Sequence, residues 1–83
     1  MRVVFLLTAS LAREAREDGA EVFEVVCELN PGTTVREAMS GLPIIKRMKH
    51  VPKAVVKDGK LITSNYVLQD GDALKIIPLP AAG

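Results

Sequence analysis

Between Asn30 and Leu42 the chain reads NPGTTVREAMSGL, and the fold turns on how this segment is read. Pro31-Gly32 makes a turn. Thr34 opens a T-x-x-E capping box with Glu37, in which each side chain satisfies the other residue's backbone amide. Val35, Ala38, Met39 and Leu42 then recur at helical spacing, and Gly41 and Pro43 stop the run. The segment therefore predicts a capped helix with one apolar side, suited to crossing one face of a sheet. In this reading Met39 is core filler.

The segments on either side read mainly as strands. Upstream, EVFEVVCEL (residues 21–29) alternates, with Phe23, Val25, Cys27 and Leu29 on one face and Glu24, Val26 and Glu28 on the other. Cys27 behaves there as a small hydrophobe; it has no CxxC companion, and His50, the one histidine, is isolated among basic residues. RVVFLL (residues 2–7) is apolar on both faces, as expected of a central strand. SLAREARED (residues 10–18) follows as a short helix, with Ser10 as N-cap and Gly19 just past its end. Downstream, AVVKDGKLIT (residues 54–63) is a hairpin signal, because Asp58-Gly59 supplies the positive φ angles of a tight turn. NYVLQDGDALKIIP (residues 65–78) predicts a loop or single helical turn ending at Asp70-Gly71-Asp72. A last strand follows from Ala73 to Ile77, with Leu74 and Ile76 on one face and Lys75 and Ile77 on the other.

The order is strand, short helix, strand, main helix, hairpin, turn, strand. A helical crossover before the hairpin, with the last strand placed beside the first, gives an α+β protein of the β-grasp architecture. The expected form is a mixed sheet of about five strands packed on one main helix plus a short helix. Residues 1–78 form that domain and residues 79–83 a flexible C-terminal tail.

Composition limits the function. The 83 residues are 48% hydrophobic and 25% charged, enough for one domain with a single core. A net charge of +1 provides no large field for nucleic acid, and two Phe and one Tyr leave the Lys46–Lys53 basic stretch short of base-stacking partners. The charges do segregate: Glu14, Glu17, Asp18, Glu21, Glu24 and Glu28 crowd the first third, while Lys46, Arg47, Lys49, His50 and Lys53 cluster past the middle. Such runs are commonly solvated faces, and opposite faces also suit orientation against a protein partner. One cysteine forms no intrachain disulfide, and the opening apolar run is too short for a signal-peptide core or a membrane span, so a cytoplasmic protein is expected. No nucleophile–base set, metal-ligand spacing or phosphate-cradling glycine loop is present, which argues against a self-contained enzyme.

The assembled pattern resembles the small sulfur-carrier proteins of the ThiS and MoaD type, ubiquitin-like proteins serving thiamine and molybdopterin synthesis. The resemblance rests on VVFLLTASLAREA, TVREAM, AVVKDGKLI and the closing LQDGDALKIIPLPAAG, and it covers nearly the whole chain. It implies a carrier that binds no cofactor or metal itself. An E1-like adenylating enzyme would use ATP to join AMP to the carboxylate of Gly83, and a sulfur donor would convert the acyl-adenylate to a thiocarboxylate for a larger synthase subunit. Neither nucleic acid nor membrane is expected as a partner. The tail residues Leu79, Pro80, Ala81 and Ala82 would thread the partner's channel, with Pro78 and Pro80 holding its start extended. The family ends in Gly-Gly, whereas here Ala82 precedes Gly83, adding a methyl group where the family has none. An adapted activating enzyme that accepts Ala82, a slow substrate, or a ubiquitin-like binding module or small subunit without carrier chemistry are the three readings of that departure. Val4 and Leu6 of the first strand and Ile77 and Leu79 of the last would form an apolar patch beside the tail, unless Tyr66, Val67 or the first helix covers it.

Overall fold

The computed structural model describes residues 1–9, 11–12 and 22–79. Five strands, β1 (Arg2–Thr8), β2 (Val22–Glu28), β3 (Lys53–Lys57), β4 (Lys60–Ile62) and β5 (Ala73–Pro78), form one sheet in the order β2-β1-β5-β3-β4. β1 lies between β2, antiparallel, and β5, parallel. The first and last strands are thus the central neighbours, as expected, and the architecture is an α+β β-grasp.

Alternation along β1 sorts the two faces. Val3, Phe5 and Leu7 are fully buried with Leu74 and Ile76 of β5, and Val55 of β3 joins them. Two short helices, α1 (Val35–Ser40) and α2 (Pro43–Arg47), add Val35, Ala38, Ile44 and Ile45 to the same core. The capping box at α1 is formed: the Glu37 N–H donates to Thr34 Oγ1 at 3.3 Å and the Thr34 N–H to Glu37 Oε1 at 3.1 Å. The loop after β4 serves the same helix end, its Tyr66 and Ser64 carbonyls accepting from the Val35 and Arg36 N–H groups at 2.9 and 3.0 Å, which satisfies two more of the orphan amides at the helix N-terminus.

Two sequence expectations change here. The main helix is shorter than its apolar spacing suggested, because Gly41 takes the C-cap and Leu42 leaves the helix while staying buried. Pro43 stops that helix but also begins α2, as suits a residue whose fixed φ and missing N–H fit the first helical position. Of the two forms expected before β5, the structure takes the loop, with Val67 forming an isolated bridge to Thr34. Leu11 and Ala12 are fully buried; Ser10 and residues 13–21, which carry most of the short helix expected over residues 10–18, lie outside the described residues.

Two turns fix register. Asp58 and Gly59 have φ of 52° and 78°, the paired positive angles of a tight hairpin turn joining β3 to β4. Gly71, at φ 86°, lets the Asp70-Gly71-Asp72 loop fold back onto the start of β1. The Gly71 N–H donates to the Arg2 carbonyl at 2.8 Å, the Val4 N–H to the Asp72 carbonyl at 2.9 Å, and the Arg2 N–H to Asp70 Oδ1 at 2.8 Å. These bonds set the parallel pairing of β1 with β5, and hence where the chain leaves the sheet.

Asp72 is the one buried charged residue described. Its Oδ2 accepts from the Gln69 N–H at 2.8 Å and from the Tyr66 hydroxyl at 3.2 Å, while Oδ1 lies 3.7 Å from Lys57 Nζ. The Asp58 hydrogen bond, then Tyr66 and the Asp58 and Asp72 charges, holds the Lys57 ammonium above its ordinary value of 10.5. A lysine raised on folding stabilises the fold fully below pH 10.5, and that contribution disappears as pH climbs through the raised value. Lys57→Met is therefore expected to lose less stability between pH 8 and pH 11 than the parent chain, measured by urea unfolding at both.

Candidate docking face and chain end

Among the described residues, α1 and α2 cover the sheet on one side. The other face is laid out in cross-strand rows by the pairing registers. Val26, Val4 and Ala73 form one row, and Glu24, Leu6, Lys75, Val56 and Leu61 a second. Val22 and Thr8 pair in a third, where Ile77, one step beyond the Leu7–Ile76 pair, sits opposite Ala54. The third row is nearest the chain end. The most exposed large hydrophobic residues gather on this face: Val22 is 53% exposed, Val26 51%, Leu61 74%, and Leu79 at the tail root 44%. Val67, at 46%, belongs to the loop beside α1.

Val4, Leu6 and Ile77 therefore share one face, half-buried by their strand neighbours, as the sequence suggested. Lys75 stands beside Leu6 in their row, and Ala54 lies opposite Ile77. Of the covers expected, Tyr66 and Val67 are described, whereas Ser10 and residues 13–21 of the first helix lie outside the described residues. Tyr66 packs against the core and its hydroxyl is bonded to Asp72, while Val67 pairs with Thr34 at the N-cap of α1. Sequence reasoning missed Val22, Ala54, Val56 and Leu61 as members of this face. Their period-two alternation was readable, but which strands lie side by side was not.

The rest of the face is polar and modest in charge. Arg2 and Glu28 pair across β1 and β2 at 3.0 Å in full solvent, an arrangement of small energetic weight. Cys27 points to the opposite side, packed against the core, and burial pushes its thiol up; a protonated, half-buried thiol is a poor nucleophile. Among the described residues no group of three His, Cys, Asp or Glu could hold a metal, and no pocket indents the surface. No described helix is long and apolar enough to cross a membrane.

β5 delivers the chain to the edge of this face. The Leu79 N–H donates to the Pro52 carbonyl at 2.8 Å, one step past the pairing of Pro78 with Lys53, and so holds the tail root against the start of β3. Pro80, Ala81, Ala82 and Gly83, expected as the tail and its reactive end, lie outside the described residues. Four residues reach at most about 14 Å.

Known structures share this fold. SAMP1 from Haloferax volcanii superposes with a TM-score of 0.73 at 20% identity, over 100% of both chains. The fold is ubiquitin-like. A chain from the complex of subunits 1 and 2 of the molybdopterin-converting factor of Helicobacter pylori 26695 matches at TM-score 0.59 and 21% identity, again over 100% of both chains. Caldiarchaeum subterraneum ubiquitin matches at 0.57 and 16%, over 100% of this chain and 98% of that one. The chain thus has the ubiquitin-like β-grasp fold in which the ThiS and MoaD type of protein is built. No protein-family model and no curated protein matches it.

Proposed function

We propose that this protein is a sulfur carrier of the molybdopterin- or thiamine-serving type, a co-substrate of other enzymes. In this reading its open sheet face docks on an E1-like adenylating enzyme and later on a larger synthase subunit. The Gly83 carboxylate attacks the α-phosphorus of ATP in the partner's site, pyrophosphate leaves, and sulfide supplied by the donor attacks the acyl carbon, breaking its bond to the phosphate oxygen so that AMP leaves and a thiocarboxylate remains. The carrying observation is the placement of the chain end: β5 and the Leu79–Pro52 hydrogen bond release the tail at the border of an exposed apolar face. A partner gripping that face receives the carboxylate at a fixed distance, which is how positioning lowers the barrier for a weak nucleophile.

The test is the intact mass of the protein produced in cells together with its activating enzyme and a sulfur source. A species in which sulfur replaces one terminal oxygen is the expected result. Its absence, with the enzyme active on a Gly-Gly carrier, supports instead a ubiquitin-like docking module without carrier chemistry. Ala82→Gly in the same experiment isolates the one methyl group in which the tail departs from Gly-Gly.

A further inference from the structure

A second surface borders the tail root, and its character is electrostatic. From Ala38 to Lys57 the chain has no acidic residue, while it carries Lys46, Arg47, Lys49, His50, Lys53 and Lys57. Two of these cations serve the fold. Lys57 faces Asp58 and Asp72. Lys53 Nζ donates to the Met48 and Val51 carbonyls, each at 2.6 Å, which ties the turn after α2 to the start of β3. Lys46, Arg47, Lys49 and His50 are left exposed on α2 and that turn. None of them has an ion-pair partner among the described residues. The turn ends at Pro52, whose carbonyl holds Leu79. One short stretch of backbone therefore presents a row of positive charge and anchors the root of the tail.

We propose that Lys46, Arg47, Lys49 and His50 form an electrostatic docking site for an acidic protein surface beside the channel that receives the chain end. The occupant's chemistry follows from the patch: clustered like charge with no stacking aromatic. Phe5 is buried, Phe23 packs on the core, and Tyr66 is bonded to Asp72, so a protein carboxylate surface is favoured over nucleic acid. Such a patch acts chiefly on the association rate and on the angle of approach. Lys53 is the positioning residue, holding the turn in register with the tail. The identity of the partner rests on the carrier reading above; the acid-binding site does not.

The experiment titrates the full chain, isotopically labelled for backbone NMR, with poly(L-glutamate) and separately with poly(U) RNA. Poly(L-glutamate) is expected to perturb the amides of residues 46–50 and 79 selectively. The effect should be lost in high salt, where the Debye length falls to about 3 Å, and should weaken about tenfold in the Lys46→Glu/Arg47→Glu/Lys49→Glu variant. Lys46→Gln/Arg47→Gln/Lys49→Gln should weaken it less while unfolding in urea like the parent, which separates lost charge from lost fold. Shifts spread equally over Lys60 and Lys75, or tighter and equally localised binding of poly(U), would overturn the proposal. A chain that binds poly(L-glutamate) at this turn but is never adenylated retains the docking site and loses the carrier reading.

Discussion

On the proposed carrier function, deleting Gly83 is expected to abolish thiocarboxylate formation even though the shortened chain still ends in a carboxylate, that of Ala82. The loss follows from reach. The tail is fixed at Leu79 by the Pro52 carbonyl, so removing one residue withdraws the reacting carbon by about 3.3 Å from where a docked partner meets it. A displacement of about 1 Å can cost 10²-fold in rate, and this one is larger. Gly83→Ala keeps the length and adds a Cβ beside the acyl carbon. It is expected to be slowed but not silent. Intact mass after incubation with the activating enzyme, ATP and a sulfur source reads both variants. Equal product from the parent and the deleted chain would show that the end of this tail is not the reacting group.

Much of this arrangement was legible in the residues, because local chemistry and tertiary role agree there. The Thr34–Glu37 box, the Asp58-Gly59 turn and the alternation in β1, β2 and β5 each have one low-energy local form, and the structure uses it. The stretch from Gly41 to Met48 was less readable. Gly41 and Pro43 both mark an end, but proline also favours a beginning, and only burial of Ile44 and Ile45 in the shared core decides for a second helix. The outer face of the sheet was half legible for a related reason. Val4, Leu6 and Ile77 could be assigned to outer faces by parity, but Lys75 beside Leu6, and Leu61 beyond Val56, depend on register between strands far apart in the chain. That register is set by the Asp70-Gly71-Asp72 loop binding back to Arg2 and Val4. The basic turn at residues 46–50 was visible as charge, and its nearness to the tail emerged only with the Leu79–Pro52 contact.

The adjacent residues Leu6 and Leu7 separate folding from docking most sharply. Leu7 is fully buried between Phe23 and Ile76 of the flanking strands, so Leu7→Ala removes core contacts in a close-packed layer and is expected to cost about 2–5 kcal/mol. For a chain of this size, stable by roughly 4–12 kcal/mol at 0.05–0.15 kcal/mol per residue, that brings the urea midpoint down severely. Leu6 lies one residue away on the open face, between Glu24 and Lys75. Leu6→Asp leaves the core untouched, and its carboxylate faces Lys75 on one side and Glu24 on the other, so the unfolding midpoint should fall far less than in Leu7→Ala. In a docked complex the same carboxylate would be trapped at an apolar interface, and a hot-spot loss of at least about 2 kcal/mol, some thirtyfold in Kd, is expected. Urea unfolding and binding to the activating enzyme, measured on both variants, should give opposite orders of severity. If Leu6→Asp binds as the parent does while remaining folded, the open face is not the surface that partners grip, and the tail with its basic turn would have to hold the complex by itself.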